Sequence, residues 1–333
     1  MIGITTFAPG STEMEDFRSF AAQLYAGDPF WRPSADPVPA DGTTCYLVQR
    51  DGAVVGRACG LINPDITWNG VKTGLVGWYE CVDDTDAAVS LLDTVRDDLA
   101  KAGCGFIIGP INGSTWHRYR VAEPSDAPPF FLDVYNRPWY AGQFREAGYE
   151  TIANYSSTKF DLRSGHYDRV EKFEEFYRGR GITIRPFRTD DFDNEMRVLY
   201  EVTLASFGRN FLYTPISFES FREIYAPVES IIDPELVLIA EDAERHPLGY
   251  IFTIRDMFQQ NGRTLIIKTV AAAPVPAARG LGTFLVEKMH VVGLNRGFDA
   301  AIHALMHEGN SSANMLSDDS HPLRTYRLFG RES

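Results

Sequence analysis

The chain has 333 residues, 44% apolar and 23% charged, with a formal net charge of −13. That is length for two ordinary domains and the composition of a globular protein. The acidic balance argues against a nucleic-acid partner, which needs clustered Lys and Arg, and no window of about 18 apolar residues offers a membrane span.

Residues 1–10 lack a basic stretch followed by an apolar core, so no signal peptide is expected. A short helix is predicted over 17–25 and is broken by the Pro-rich run 28–39. Residues 46–48 and 54–56, joined by Arg50-Asp51-Gly52, form a hairpin signal. A strand follows at 75–79. Cys45, Cys59, Cys81 and Cys104 are widely spaced with no C-x-x-C, so buried reduced thiols are expected and a metal site is not. Such thiols suit a reducing, cytoplasmic setting.

After the strand come Asp83, Asp84 and Asp86, then a helix with Ala88, Leu91, Leu92, Val95 and Leu99 on one face. Gly103 ends it, and 106–108 reads as a strand. Three carboxylates at a helix start satisfy its dipole and repel an anion. The polar, aromatic stretch Asn112 to Arg120 is read as a solvated loop, with a pocket wall as the alternative. Residues 139–149 form a short helix closed by Gly148. A strand at 158–162 ends the first half, and 164–180 is an amphipathic, charged helix.

The second half opens with a strand at 182–187, a helix from Asp190 to about Phe207, and a helical stretch over 219–231 broken near Pro227. Strands at 236–240 and 248–254 pair as a hairpin, and Gln260-Asn261-Gly262 marks a turn. The next strand, 265–270, carries Lys268, whose charge must pair with a buried acid or point outward. Pro274 and Pro276 end that strand. Arg279-Gly280-Leu281-Gly282-Thr283 then turns into a helix with Leu281, Phe284, Leu285, Met289 and Val292 on one face. Strand, glycine turn and helix start present several backbone N–H groups to one anion. Gly297 and a strand at 300–306 complete the same order as in the first half, an internal repeat. Residues 323–329 alternate like a final strand.

The stretch from the apolar strand through Pro274 to Gly280 and Gly282 resembles the cofactor motif of the GNAT acyltransferases. One position departs: the family's Gln/Arg place is Ala277, and Arg279 lies two residues later. The resemblance implies an α+β fold of two GNAT-type domains, each a mixed, mostly antiparallel sheet flanked by helices. A degenerate copy would occupy 1–163, a linker helix 164–181 and the working copy 182–333. It implies acetyl-CoA as acyl donor, held by Val270, Ala271, Ala272, Arg279, Gly280, Leu281, Gly282, Thr283 and Asn310, with no metal.

For acid–base chemistry the resemblance points to a Tyr seven residues after Asn310, where Ser317 stands, with Tyr326 as the other candidate. His303, His307 and Glu308 are the candidates for a base, His303 being better placed as a core residue. The function so implied is N-acetyl transfer to the primary amine of a small molecule by direct attack in a ternary complex, in a cytoplasmic protein that could form a homodimer. The alternatives are a non-catalytic CoA sensor and a tandem aminoacyl transferase using tRNA; the acidic charge weighs against the latter.

Overall fold

The structure is a computed structural model that describes residues 1–33, 39–40, 42–259, 262–309 and 320–333. The first half contains β1 (Ile2–Phe7), α1 (Met14–Leu24), β2 (Thr44–Arg50), β3 (Ala53–Leu61), β4 (Thr67–Trp68), β5 (Val71–Cys81), α2 (Thr85–Lys101), β6 (Phe106–Gly109), β7 (Val121–Ala122), α3 (Tyr140–Glu146) and β8 (Glu150–Asp161). The helix α4 (Asp168–Arg178) connects it to β9 (Thr183–Pro186), α5 (Phe192–Phe207), α6 (Phe218–Tyr225), β10 (Val237–Glu241), β11 (Pro247–Arg255), β12 (Thr264–Ala272), α7 (Leu281–Asn295), β13 (Ala300–His307) and β14 (His321–Glu332).

Among the described residues the strands form one sheet in the order β1-β2-β3-β5-β6-β14-β8-β13-β12-β11-β10-β9. Two neighbouring pairs are parallel, β5 with β6 and β12 with β13. Each is bridged by a helix, α2 or α7, as parallel strands require. The two halves exchange their last strands. β14 ends the chain yet pairs with β6 of the first half, and β8 of the first half pairs with β13 of the second. The exchanged strands also pair with each other. Ile108, Tyr155, Tyr326 and Leu328 are buried at this seam. Burying an aliphatic or aromatic side chain of this kind contributes about 1.5–3 kcal/mol.

The apolar periodicity of α2 and α7 finds its core. Ala88, Leu91, Leu92, Val95 and Leu99 are buried, as are Leu281, Phe284, Leu285 and Met289. The four cysteines are free and buried. The stretch from Asn112 to Arg120 departs from the solvated loop expected of it. Asn112, Ser114 and Arg120 are buried. The reason is local: β5 pairs with β6 only from Thr73 to Leu75, and the chain beyond β6 folds back into the gap. There Ile111 N–H donates to Val76 O at 2.8 Å and Asn112 Oδ1 accepts Trp78 N–H at 2.6 Å.

Candidate active site

After β12 the chain passes Pro274 and Pro276 and reaches Gly280, the N-cap of α7, at φ 80°. Glycine takes this left-handed conformation without strain. On one side α4 braces the turn: Tyr177 Oη donates to Arg279 O at 2.9 Å. A Cβ on Gly280 would stand 3.3 Å from that hydroxyl. Among the described residues no side chain caps α7. Its first backbone bond runs from Phe284 N–H to Gly280 O at 3.2 Å. The N–H groups of Leu281, Gly282 and Thr283 come before it, in the turn where a helix has no internal acceptors and its dipole is positive. The Arg279 side chain is exposed. A diphosphate fits this donor set, and a Cβ at Gly280 would be strained at that φ as well as crowded.

The cleft beside this turn comes from two irregularities at one place. β12 pairs with β13 only up to Ile267 and His303. In the ladder to β11, Ile267 faces Thr253 and Thr269 faces Phe252, so Lys268 is the extra residue of a bulge. β13 shifts register against β8 between His303 and Met306, with Leu305 at φ 59°. The strands therefore part just after Lys268. Ala273 N–H donates to Leu248 O at 2.8 Å, so it faces β11. Alternation turns Ala271 the same way, and turns the polar groups of Val270 and Ala272 toward the edge β13 has left. Ser206 Oγ of α5 donates to Ala272 O there, at 2.9 Å.

The first half walls this cleft. Lys268 Nζ donates to Leu132 O at 3.1 Å. Burial and the neighbouring Arg120 push its pKa down to about 8, against the pull of Asp133. Asp133 is buried, 2.9 Å from Arg324, and accepts Tyr326 Oη–H at 2.6 Å. Burial raises its pKa to about 6, opposed by Arg324 and Tyr326. Ser157 Oγ lies 3.1 Å from Tyr326 Oη and accepts Leu305 N–H at 3.0 Å. The Arg120 guanidinium lies 4.2 and 4.3 Å from the centres of the Tyr119 and Tyr155 rings, which meet edge to face. Strand exchange is what brings Asp133, Tyr326 and Lys268 into one place.

The residues proposed for acid–base chemistry stand as follows. Tyr326 is buried, and its proton is committed to Asp133. His307 is half-buried, stacked on Phe211 at 5.3 Å, with Nδ1 accepting Gly309 N–H at 2.9 Å. Burial holds its pKa below the usual imidazole value. Glu308 is exposed and accepts Asn154 Nδ2–H at 2.9 Å. Asn310 and Ser317 lie outside the described residues, as does part of the turn at 260–262. His303 is a core residue, its Nε2 2.9 Å from His290 Nε2. Burial lowers its pKa to about 4.

Sequence reasoning missed Asp133, gave Arg120 only as part of a stretch whose alternative reading was a pocket wall, and left Lys268 without a role. Asp133 stands in no motif, and its partners are more than a hundred residues away. The bulge at Lys268 gave no local signal beyond a charge in an apolar strand. Among the described residues one trio could hold a metal, Asp242, Glu244 and His246. It belongs to the exposed β10–β11 turn, where Asp242 caps His246 N–H at 2.7 Å.

No protein-family model matches the chain. It is 23% identical over 366 aligned positions to Protein YghO of Escherichia coli K12, spanning 96% of this chain and 93% of that protein. It is 25% identical over 247 positions to the bacterial ceramide synthase of Caulobacter vibrioides, spanning 69% of this chain and 64% of that protein. The tandem GNAT protein from the clavulanic acid biosynthesis pathway superposes with a TM-score of 0.51 at 14% identity, covering 100% of this chain and 98% of that one. A GCN5-related N-acetyltransferase from Sphaerobacter thermophilus gives 0.52 at 15% identity, covering 99% and 95%. A glucosamine N-acetyltransferase region of a fungal multi-domain enzyme gives 0.57 at 13%, where this chain spans 38% of that protein. The two helix-bridged parallel pairs, the exchanged final strands and these whole-chain superpositions establish that this chain has the tandem GNAT fold.

Proposed function

We propose that the chain is a CoA-thioester-dependent N-acyltransferase whose working site is the β12–β13 cleft of the second half. The observation that carries this reading is the uncapped glycine start of α7 standing at the mouth of a cleft with an open strand edge. Arg279 and the N–H groups of residues 280–283 would hold the diphosphate, and the open edge at Val270 and Ala272 would pair with the pantetheine arm. Bound there, an acyl-CoA supplies an activated acyl carbon and a thiolate leaving group. The chain's own part is to align the acceptor amine and to handle its proton.

Lys268 is placed for that proton. With a pKa of about 8, its amine is partly neutral near pH 7–8 and can take the proton an attacking ammonium must lose. An ammonium gives up two protons on its way to an amide. The first, taken by Lys268, frees the lone pair and passes on to solvent; the second leaves the nitrogen as the C–N bond forms and reaches the departing sulfur through Nζ as the C–S bond breaks. Leu132 O holds Lys268 from the first-half wall, the charge of Asp133 lies nearby, and Tyr326 donates to Asp133. His307 is the second base, from the far end of β13.

The acceptor is a small-molecule primary amine, attacking directly in a ternary complex. Acetyl-CoA is the first donor to test. The similarity to a protein named a ceramide synthase supports a fatty acyl-CoA and a long-chain amine as the second pair, since a ceramide is an N-acyl amide. The experiment is CoA release from each donor over an amine panel. Turnover with loss in Lys268→Met supports the reading. CoA binding without turnover on any amine would leave a CoA-binding protein with no transferase activity.

A further inference from the structure

We propose that the first half carries a separate binding site for a small oxyanion, a phosphate or carboxylate group, between Arg57, Arg118 and Arg120. The site lies where β5 and β6 part. A narrow pocket of about 30 Å³ there is lined by these three arginines with Glu80, Asn112 and Tyr140 among others. Three guanidinium groups thus face a single carboxylate.

That carboxylate is already used. Glu80 is buried and accepts from Tyr25 Oη at 3.1 Å, Tyr140 Oη at 2.5 Å and Arg118 Nη1 at 2.9 Å. Its charge is answered by Arg118. Arg57 and Arg120 have no ion pair with a carboxylate among the described residues, and the Nε of each is buried without a partner. Arg120 is only 8% exposed. Arg57 lies 4.7 Å over the Phe17 ring and donates Nη1–H to Phe17 O. Burial also lowers the Arg57 pKa, opposed by the nearby Glu80. Burying a charge without a partner is costly. Planar guanidinium forks answer an oxyanion with paired N–H donors. Arg57, Arg118 and Arg120 line the pocket together, with Arg120 Nη1 3.5 Å from Leu305 O, whereas the first-half helix start has its donors answered by Asp84. Arg120 also neighbours Lys268, so the arginine variants are read by anion binding and not by turnover.

Thermal unfolding of the full chain tests it, with sodium phosphate or sodium acetate added at ionic strength fixed by chloride. The expected result is a saturable rise in Tm in the wild type and in Gly280→Asp/Gly282→Asp, whose second-half loop is blocked. The response should weaken at least tenfold in Arg57→Gln and Arg120→Gln. A stronger response to phosphate assigns a phosphate monoester, and a stronger response to acetate a carboxylate. Removing a buried arginine can unfold the chain, so Arg120→Lys, which keeps the charge and loses the fork, is the second variant. Arginine Nε–H NMR of the wild type should also show saturable shifts for Arg57 and Arg120. Absence of any saturable response, or a response kept in every arginine variant, or one lost only in the loop variant, would overturn the proposal.

Discussion

The two halves build the same frame and close it differently. In the first, β5 parts from β6 after Leu75 and bulges at Trp78 and Tyr79 opposite Ala58. Asn112 then accepts the Trp78 N–H, and Asp84 caps α2 by accepting Ala87 N–H, itself held by Arg50 at 2.7 Å. In the second, β12 parts from β13 after Ile267, bulges at Lys268, and leads to a helix that no side chain caps. The contrast teaches where a ligand belongs. One copy answers its own donors with Asn and Asp side chains. The other leaves donors and an open edge for something else to answer.

The sharpest break in this contrast is at the bulge. Lys268→Met should lower turnover by roughly 10²–10⁴-fold, the range for a positioned general base, while acetyl-CoA affinity stays within about threefold, as read by steady-state kinetics and calorimetry. In the wild type the rate should rise with pH through about 8, where Lys268 loses its proton. The variant should lack that limb. A rate limb unchanged in Lys268→Met would move the base to His307.

Next comes the seam. Tyr326→Phe removes a donor from buried Asp133, and leaving such a group short of a partner costs about 1–3 kcal/mol. Urea unfolding should show that loss. The first half's own closure is a smaller term: Asp84→Ala removes an N-cap and should cost about 0.5–2 kcal/mol. The carboxyl of Asp84 is held below its ordinary pKa, first by Arg50. Its contribution is therefore present above the unfolded value of about 4 and is lost as pH falls through the folded one. Wild type and Asp84→Ala should converge in stability under acid. Smallest is Arg279→Gln. An exposed charge is worth about 1 kcal/mol or less, so CoA binding should weaken by roughly 2–5-fold, less at high salt.

Much of this frame was legible in the chain. The apolar faces of α2 and α7 and the change from Asp83-Asp84 to Arg279-Gly280 are local patterns, and local patterns set helices and turns. The reciprocal exchange of β8 and β14 was not legible, because each strand reads the same whichever sheet it joins. The cluster of Asp133, Tyr326 and Arg324 beside Lys268 stayed hidden for the same reason. Asp133 and Lys268 come near each other only in the folded chain, and nothing near either residue in sequence announces the other. Arg120 looked like part of a polar loop, yet the gap left by β6 draws that loop inside.

Calorimetric titration of acetyl-CoA into the wild type and into Gly280→Asp/Gly282→Asp tests the central claim most directly. It places on α7 the carboxylates that close α2. The account predicts micromolar binding by the wild type and a loss of at least about 100-fold, roughly 2.7 kcal/mol, in a variant with an unchanged circular dichroism spectrum. No binding to the wild type, or equal binding to both, would contradict it and place the ligand elsewhere.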